Sequence, residues 1–422
     1  MKTTAVRLYG IDDLRLETFD LPALKSDEIL VKVVCDSVCM STYKALKQGK
    51  NHKRVPENVV NEPIIVGHEM AGVIVEVGSD YEGQFYPGQK FSLQPALNFN
   101  GSPYAPGYSY QFFGGNATYN IIPPEVMALG CLLVYEGDSY YGASLGEPMS
   151  CIIGGFHASY HTTPGAYKHI MGTKANGHLA ILGGAGPMGL GAIDYALAMA
   201  PELRPKTIVV TDVSHERLNR AAQFITPEKA KALGVDLQYI NTDSFDNPTD
   251  ALLLVTQGYG YDDVFIYAPV RQLVEQGDAI LAHDGCMNFF AGPTDHGFNA
   301  PINMYRVHYS NTHIMGSTGG NTDDLKEALE LFSQGKINPS LMLTHIGGMD
   351  SAIDAIMNLP DLPGAKKLLY NHIHMPLTAI EDFEALGKTN PLYRGLAEHV
   401  KRHGGLWNGD AERFLLDYYG VD

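Results

Sequence analysis

Residues 178–200 read HLAILGGAGPMGLGAIDYALAMA. An apolar run leads into a Gly-rich turn and then into a helix-forming stretch. The turn carries Gly184-x-Gly186-x-x-Gly189. Gly184 permits the tight turn, Gly186 lets the main chain approach a pyrophosphate, and Gly189 lets helix and strand pack closely. The free N–H groups opening the helix face such phosphates. Downstream, TIVVTD (207–212) reads as a second strand ending in Asp212. A carboxylate there accepts hydrogen bonds from an adenosine ribose and repels a 2′-phosphate, which favours NAD over NADP. The interval from Gly184 to Asp212 is longer than usual, and APELRPK (200–206) absorbs the excess. A bare βαβ turn with Asp212 as a solvated strand end accounts less well for the complete strand, turn, helix, strand and acid.

Working outward, SHERLNRAAQFI (214–225) reads as a helix, and DDVFIYAPV (262–270) and DGCMNFFAG (284–292) as further strands. Strands alternating with helices predict a parallel sheet. DGCMNFFAG is expected at its edge, free to pair across a two-fold axis in a homodimer or homotetramer. The N-terminal part is different. EILVKVVCDSV (28–38), AGVIVEVG (71–78), QKFSL (89–93) and ATYNIIP (117–123) alternate or run apolar between Gly and Pro. They predict an irregular antiparallel barrel. The chain is therefore read as α/β with two domains: residues 1–150 with 318–422, and residues 151–317. DDLKEALELFSQG (323–335) is an amphipathic helix capped by Asn321 or Thr322. The stretch from Pro376 onward, with the only Trp, Trp407, reads as a helical extension with no chemical role assigned.

Bulk properties exclude several classes. Of 422 residues, 45% are apolar and 18% charged, a composition of folded rather than disordered chains. The net charge of −17 disfavours nucleic acid and anionic membrane as partners. The start, MKTTAVRLYGIDDLRL, has no apolar signal region, and the most apolar stretch carries Asp194 and many glycines. Five cysteines, an odd number, are expected to be reduced in a cytoplasmic protein.

The second informative stretch is GHEMAGVIVEVG (67–78). A strand needs no His-Glu pair at its head. His68 and Glu69 reach one ion only if the backbone turns, and Gly67 allows the turn. Cys39, in CDSVCMSTYK (35–44), offers a thiolate, and Glu147, in SLGEPMSC (144–151), a carboxylate. Such a set suits zinc. Singly, each residue has a plainer reading: a buried thiol, a core histidine, a surface acid, a helix-start acid.

In combination, with CMS, GHE, PGQKF, GGNATYNIIP, EPMSC and the Gly-rich turn in order, the chain resembles the zinc-dependent medium-chain dehydrogenase/reductases to about residue 372. The resemblance implies a GroES-like barrel beside a doubly wound Rossmann sheet. It implies one catalytic zinc at Cys39, His68, Glu69 and Glu147, with Glu69 or Glu147 bound directly or through water. The EP of the third segment is similar to the polyol dehydrogenase branch. The resemblance implies cofactor contacts that extend to Pro187, Met188, Ala268, Gly292 and Ser317. Ser41 stands where the family has its relay hydroxyl, although a helix N-cap is its plainer role. Lys44 stands where alcohol dehydrogenases end the relay on His. The four Cys of a structural zinc are missing from residues 92–115, so no second zinc is expected, and that lobe is expected to be held by packing.

The run YKALKQGKNHKRVPEN (43–58) is basic in an acidic chain. It is either a solvated face or, through Lys47, Lys53 and Arg54, a pocket for a substrate phosphate. Segments such as NEPIIVGHEMAG, APINMYRVHYSNTH and GGNTDD resemble the sorbose-phosphate reductase group of the family. That resemblance implies reduction of L-sorbose 1-phosphate to D-glucitol 6-phosphate, with NAD(H) preferred and NADP(H) the alternative. The competing readings are an unphosphorylated polyol or secondary alcohol dehydrogenase and a zinc-free quinone or enone reductase.

Overall fold

The structure is a computed structural model and describes residues 1–421. The chain divides into two compact units, one of residues 1–148, 325–333 and 343 onward, the other of residues 149–324 and 334–342.

In the first unit the strand Ile29–Ser37 is central. It pairs antiparallel with Met70–Val77, with Lys366–Tyr370 and with Tyr119–Ile122. Lys90–Leu93 and Leu132–Val134 extend the sheet on one side, Leu343–Gly348 and Thr378–Ala379 on the other. Leu343–Gly348 runs parallel to Lys366–Tyr370, so the barrel is not wholly antiparallel. A second sheet joins Asp13–Asp20, Lys2–Gly10 and Ile64–Ile65. Ile29, Val31 and Val33 pack with Met70, Ile74 and Phe91 in one apolar core. The register between Ile29–Ser37 and Met70–Val77 breaks between Val33 and Cys35. Such a bulge re-aims the strand end, and Ser37 N–H then donates to the Glu69 carbonyl at 3.1 Å.

In the second unit six parallel strands lie in the order Asp236–Asn241, Thr207–Asp212, His178–Leu182, Tyr261–Ile266, Leu281–Phe289, His313–Gly316. The sequence order reverses beside His178–Leu182, as in dinucleotide-binding sheets. Leu281–Phe289 is not the edge that the sequence predicts: His313–Gly316 covers it, a four-residue strand whose half-exposed pattern is too short to read. Asn321 is the cap of the helix Thr322–Ser333: its Oδ1 accepts from Asp324 N–H at 2.9 Å, and Asn321 N–H donates to Asp324 Oδ2 at 2.8 Å. Among the described residues no helix is long and apolar enough to cross a membrane.

Candidate metal centre and cofactor turn

Gly67 has φ +91°, and a Cβ there would stand 2.5 Å from Asp36 Oδ2 and 2.9 Å from Asn116 N. Only glycine fits this left-handed, crowded turn. Beyond it, His68 and Glu69 are both buried. The helix Met40–Gln48 starts just after the bulged strand, with Cys39 as its N-cap. Ser41 is therefore inside the helix and is not the cap. Its Oγ instead donates to Cys39 Sγ at 2.9 Å and lies 3.2 Å from His68 Nε2.

Cys39, His68 and Glu69 each offer a ligand atom, and these atoms lie within 4.8 Å of one another. Tetrahedral zinc takes S, N and O donors, and these three are donors of that kind gathered in one place. Two further observations fit a cation. His68 Nδ1 is buried without a hydrogen-bond partner, which costs about 1–3 kcal/mol unless something binds there. Burial also pushes the Cys39 thiol up to about 12, with the charges of Glu69 and Glu147 adding. Burial pushes His68 down to about 3, aided by Lys366 and Arg54. A neutral imidazole is ready to ligate, and a thiolate forms here when a cation supplies the missing charge.

Glu69 is not alone. Lys366 Nζ donates to its Oε1 at 2.7 Å and to its Oε2 at 2.6 Å, and Ser37 Oγ donates to Oε2. Burial pulls Lys366 toward the neutral amine, but the charges of Glu69 and Cys39 outweigh it and its pKa is raised. Ser144 Oγ donates to the Glu69 carbonyl at 2.5 Å. Glu147 is buried in the first turn of the helix Gly146–Ala158. It is outside the group of three, near enough for its charge to act on Cys39 and Lys366. Lys44 is half-buried and lowered by burial, with the Cys39 charge opposing.

The basic run divides. Lys47 Nζ pairs with Asp12 at 2.7 Å on the surface, and Lys53 is exposed. Arg54 turns inward: its guanidinium lies 5.3 Å from the centroid of the buried Tyr108 ring. That ring is 5.0 Å from the His68 ring and 5.4 Å from the His52 ring. Tyr108 belongs to the lobe without cysteines, where Phe113 is also buried and Tyr110 bonds Glu125 at 2.8 Å.

In the other unit, a Cβ on Gly189 would meet the Gly184 carbonyl oxygen at 2.0 Å, so strand turn and helix start touch. A Cβ on Gly186 would meet nothing within 4 Å, leaving its main chain open to a ligand. Pro187 and Met188 begin the helix Pro187–Ala198. Asp212 ends its strand, with Oδ1 accepting from Ser214 N–H at 3.0 Å. Ala268 borders the turn: its Cβ would be 2.9 Å from one on Gly183. Gly292 follows Leu281–Phe289 and Ser317 follows His313–Gly316, at carboxyl ends of the sheet. Ser317 Oγ is buried without a hydrogen-bond partner.

Two family models match: the alcohol dehydrogenase GroES-like domain over residues 25–173 and the zinc-binding dehydrogenase domain over residues 187–334. The chain belongs to the zinc-dependent medium-chain dehydrogenase/reductase family, in its polyol dehydrogenase branch. It is 52% identical over 420 residues to mannitol-1-phosphate 5-dehydrogenase of Aliivibrio fischeri, covering 100% of this chain and 99% of that one. It is 45% identical over 414 residues to L-sorbose 1-phosphate reductase of Klebsiella pneumoniae, covering 98% and 97%. The 2R,3R-butanediol dehydrogenase structure from Bacillus subtilis superposes with a TM-score of 0.71 at 21% identity, over 87% of this chain and 99% of that one. At that identity the likeness speaks for the fold.

Lys366 and Tyr108 are the contributors that sequence reasoning misses. AKKLLY, an apolar run headed by two lysines after Pro-Gly, is the one signal for Lys366. Tyr108 sits among so many loop aromatics that nothing singles it out.

Proposed function

We propose that this chain interconverts a ketose phosphate and a polyol phosphate with a nicotinamide cofactor, in the cytoplasm. The observation that carries the reading is the convergence of Cys39, His68 and Glu69 with Arg54 one aromatic ring away. The two sugar-phosphate relatives support the substrate class.

Cys39 and His68 would hold one zinc, with Glu69 or Glu147 completing the set. Bound zinc supplies Lewis-acid polarisation of the reacting oxygen. Ser41 would hold the substrate hydroxyl proton, a role that its bonds to Cys39 and His68 support. Lys44, partly desolvated on the same helix, is the outer end of that path. Arg54 offers a planar fork for a phosphate, with Lys53 as a neighbouring charge and Lys47 committed to Asp12. Asp212 favours NAD(H) by accepting from the ribose, and NADP(H) is the alternative.

Two substrates lead. The sequence points to L-sorbose 1-phosphate, and the Aliivibrio relative to mannitol 1-phosphate. Turnover of each is to be compared with its unphosphorylated polyol, in wild type and Arg54→Ala. The expected outcome is a preference for the phosphate that shrinks at least about tenfold in the variant, the loss of a charge-assisted contact of about 1.5–3 kcal/mol. Equal use of both forms by wild type would remove the phosphate reading.

A further inference from the structure

The C-terminal segment, which follows the part that resembles the family at large, reaches the two elements that hold Glu69. Glu412, on the helix Gly409–Tyr419, is 2% exposed. Its Oε2 accepts from Tyr140 N–H at 2.6 Å, and its Oε1 from Tyr141 N–H at 2.8 Å and from Tyr370 O–H at 2.7 Å. Those donors lie on two different elements. Tyr140 and Tyr141 open the short helix Tyr140–Ser144, whose own preceding residue Ser139 makes no side-chain cap. Ser144, at its other end, is the residue that bonds the Glu69 carbonyl. Tyr370 ends the strand Lys366–Tyr370, which begins with the lysine that holds the Glu69 carboxylate.

One carboxylate thus ties down two of the supports of Glu69, the Ser144 bond to its main chain and its counter-charge, beside the bonds that Ser37 gives it. The neighbourhood is closed around it. Trp407 is 1% exposed and its indole N–H donates to the Tyr370 oxygen at 3.0 Å. A Cβ on Gly142 would overlap the Phe332 ring at 1.8 Å, so that ring packs directly on the main chain of the Tyr140–Ser144 turn. The three donors reach Glu412 from residues 42 to 272 positions away in sequence. A carboxylate that served the extension alone would have no need of partners on both arms.

We propose that the C-terminal extension braces the metal centre, with Glu412 as a positioning residue that holds Glu69 through Ser144 on one side and the Lys366 strand on the other. The proposal rests on the zinc reading of Cys39, His68 and Glu69. Partners outside the ligand set fix ligand orientation, and their loss typically lowers metal affinity 10–100-fold.

The test measures zinc affinity directly, by competition with a chromogenic chelator, and the absorption of the cobalt-substituted protein, for wild type and three variants. Glu412→Gln leaves one of the bonded N–H groups facing an amide N–H₂. It should bind zinc about 10–100-fold more weakly and shift the cobalt bands. Leu415→Ala, on the same helix at a fully buried position, removes core packing and leaves in place every group that takes part in the Glu412 hydrogen bonds. It should melt earlier yet keep wild-type zinc affinity. Tyr370→Phe severs one arm and should weaken zinc by less than Glu412→Gln; it carries the test should Glu412→Gln not fold. Unchanged affinity in Glu412→Gln and Tyr370→Phe would overturn the brace, as would an equal loss in Leu415→Ala. Failure of wild type to take up zinc would instead remove the metal reading, and the brace with it.

Discussion

Glu69 meets Lys366 through both carboxylate oxygens in a place that water does not reach. Two charges so buried lose much hydration, and their attraction roughly offsets that loss; deleting one partner is far more costly than deleting both. Lys366→Met should therefore lower stability by about 3–5 kcal/mol, read as a fall in the urea midpoint, and activity should fall with it. Lys366→Met with Glu69→Gln should recover part of that midpoint. A single variant as stable as wild type would show that the pair carries no such energy. The pair also marks where sequence legibility ends. Cys39, His68 and Glu69 stand out through the order of motifs that resembles the family, with Gly67 announcing the turn; singly, each has a plainer reading. Lys366 acts across 297 positions, and a lysine heading an apolar run looks like any strand start until the fold is in hand. Arg54 and Lys47, equal as letters in a basic run, part company only when Tyr108 and Asp12 are placed.

At the scale of elements, the elements that read well are those whose pattern is local. His178–Leu182 with its turn, and Thr207–Asp212, are buried on both faces and so run apolar without a break. Asp236–Asn241 and His313–Gly316 lie at the two edges of that sheet, carry mixed patterns, and escape notice for that reason. The turn makes a separable prediction. Gly189→Ala places a methyl 2.0 Å from the Gly184 carbonyl oxygen, so turn and helix must move apart. NADH affinity, measured by fluorescence titration, is expected to weaken at least about tenfold, while zinc content per chain stays at the wild-type value, since the ligands lie in the other unit. A variant that loses zinc and NADH together would contradict that independence.

For the whole molecule, the response to acid follows from buried groups of opposite sense. Burial pushes His345 down to about 4, with the Lys367 charge adding, and His372 likewise to about 4. Unfolded, an imidazole protonates near about 6.5. Between the two values the unfolded chain holds more protons, so this contribution to stability is lost as pH falls from about 6.5 to about 4. Asp194 and Glu412, both raised to about 7 by burial, act in the other direction: their folded forms hold the extra proton, and stability is lost as pH rises toward 7. A single substitution isolates one sense. His345→Asn should melt below wild type at neutral pH, and the gap should narrow at about pH 5, where the native imidazole begins to be penalised. A gap independent of pH would mean that His345 titrates alike in both states.

The chain alternates between the two units, changing from one to the other after residues 148, 324, 333 and 342. On the ribosome, the nucleotide-binding sheet emerges complete while the central strand Ile29–Ser37 still waits for Lys366–Tyr370, its neighbour on one side. Through that interval the nascent N-terminal half carries an acidic side chain whose ammonium counterpart has yet to be translated. Early-truncated products of this gene should accordingly fail to mature, and quality-control proteases should find them easy to remove.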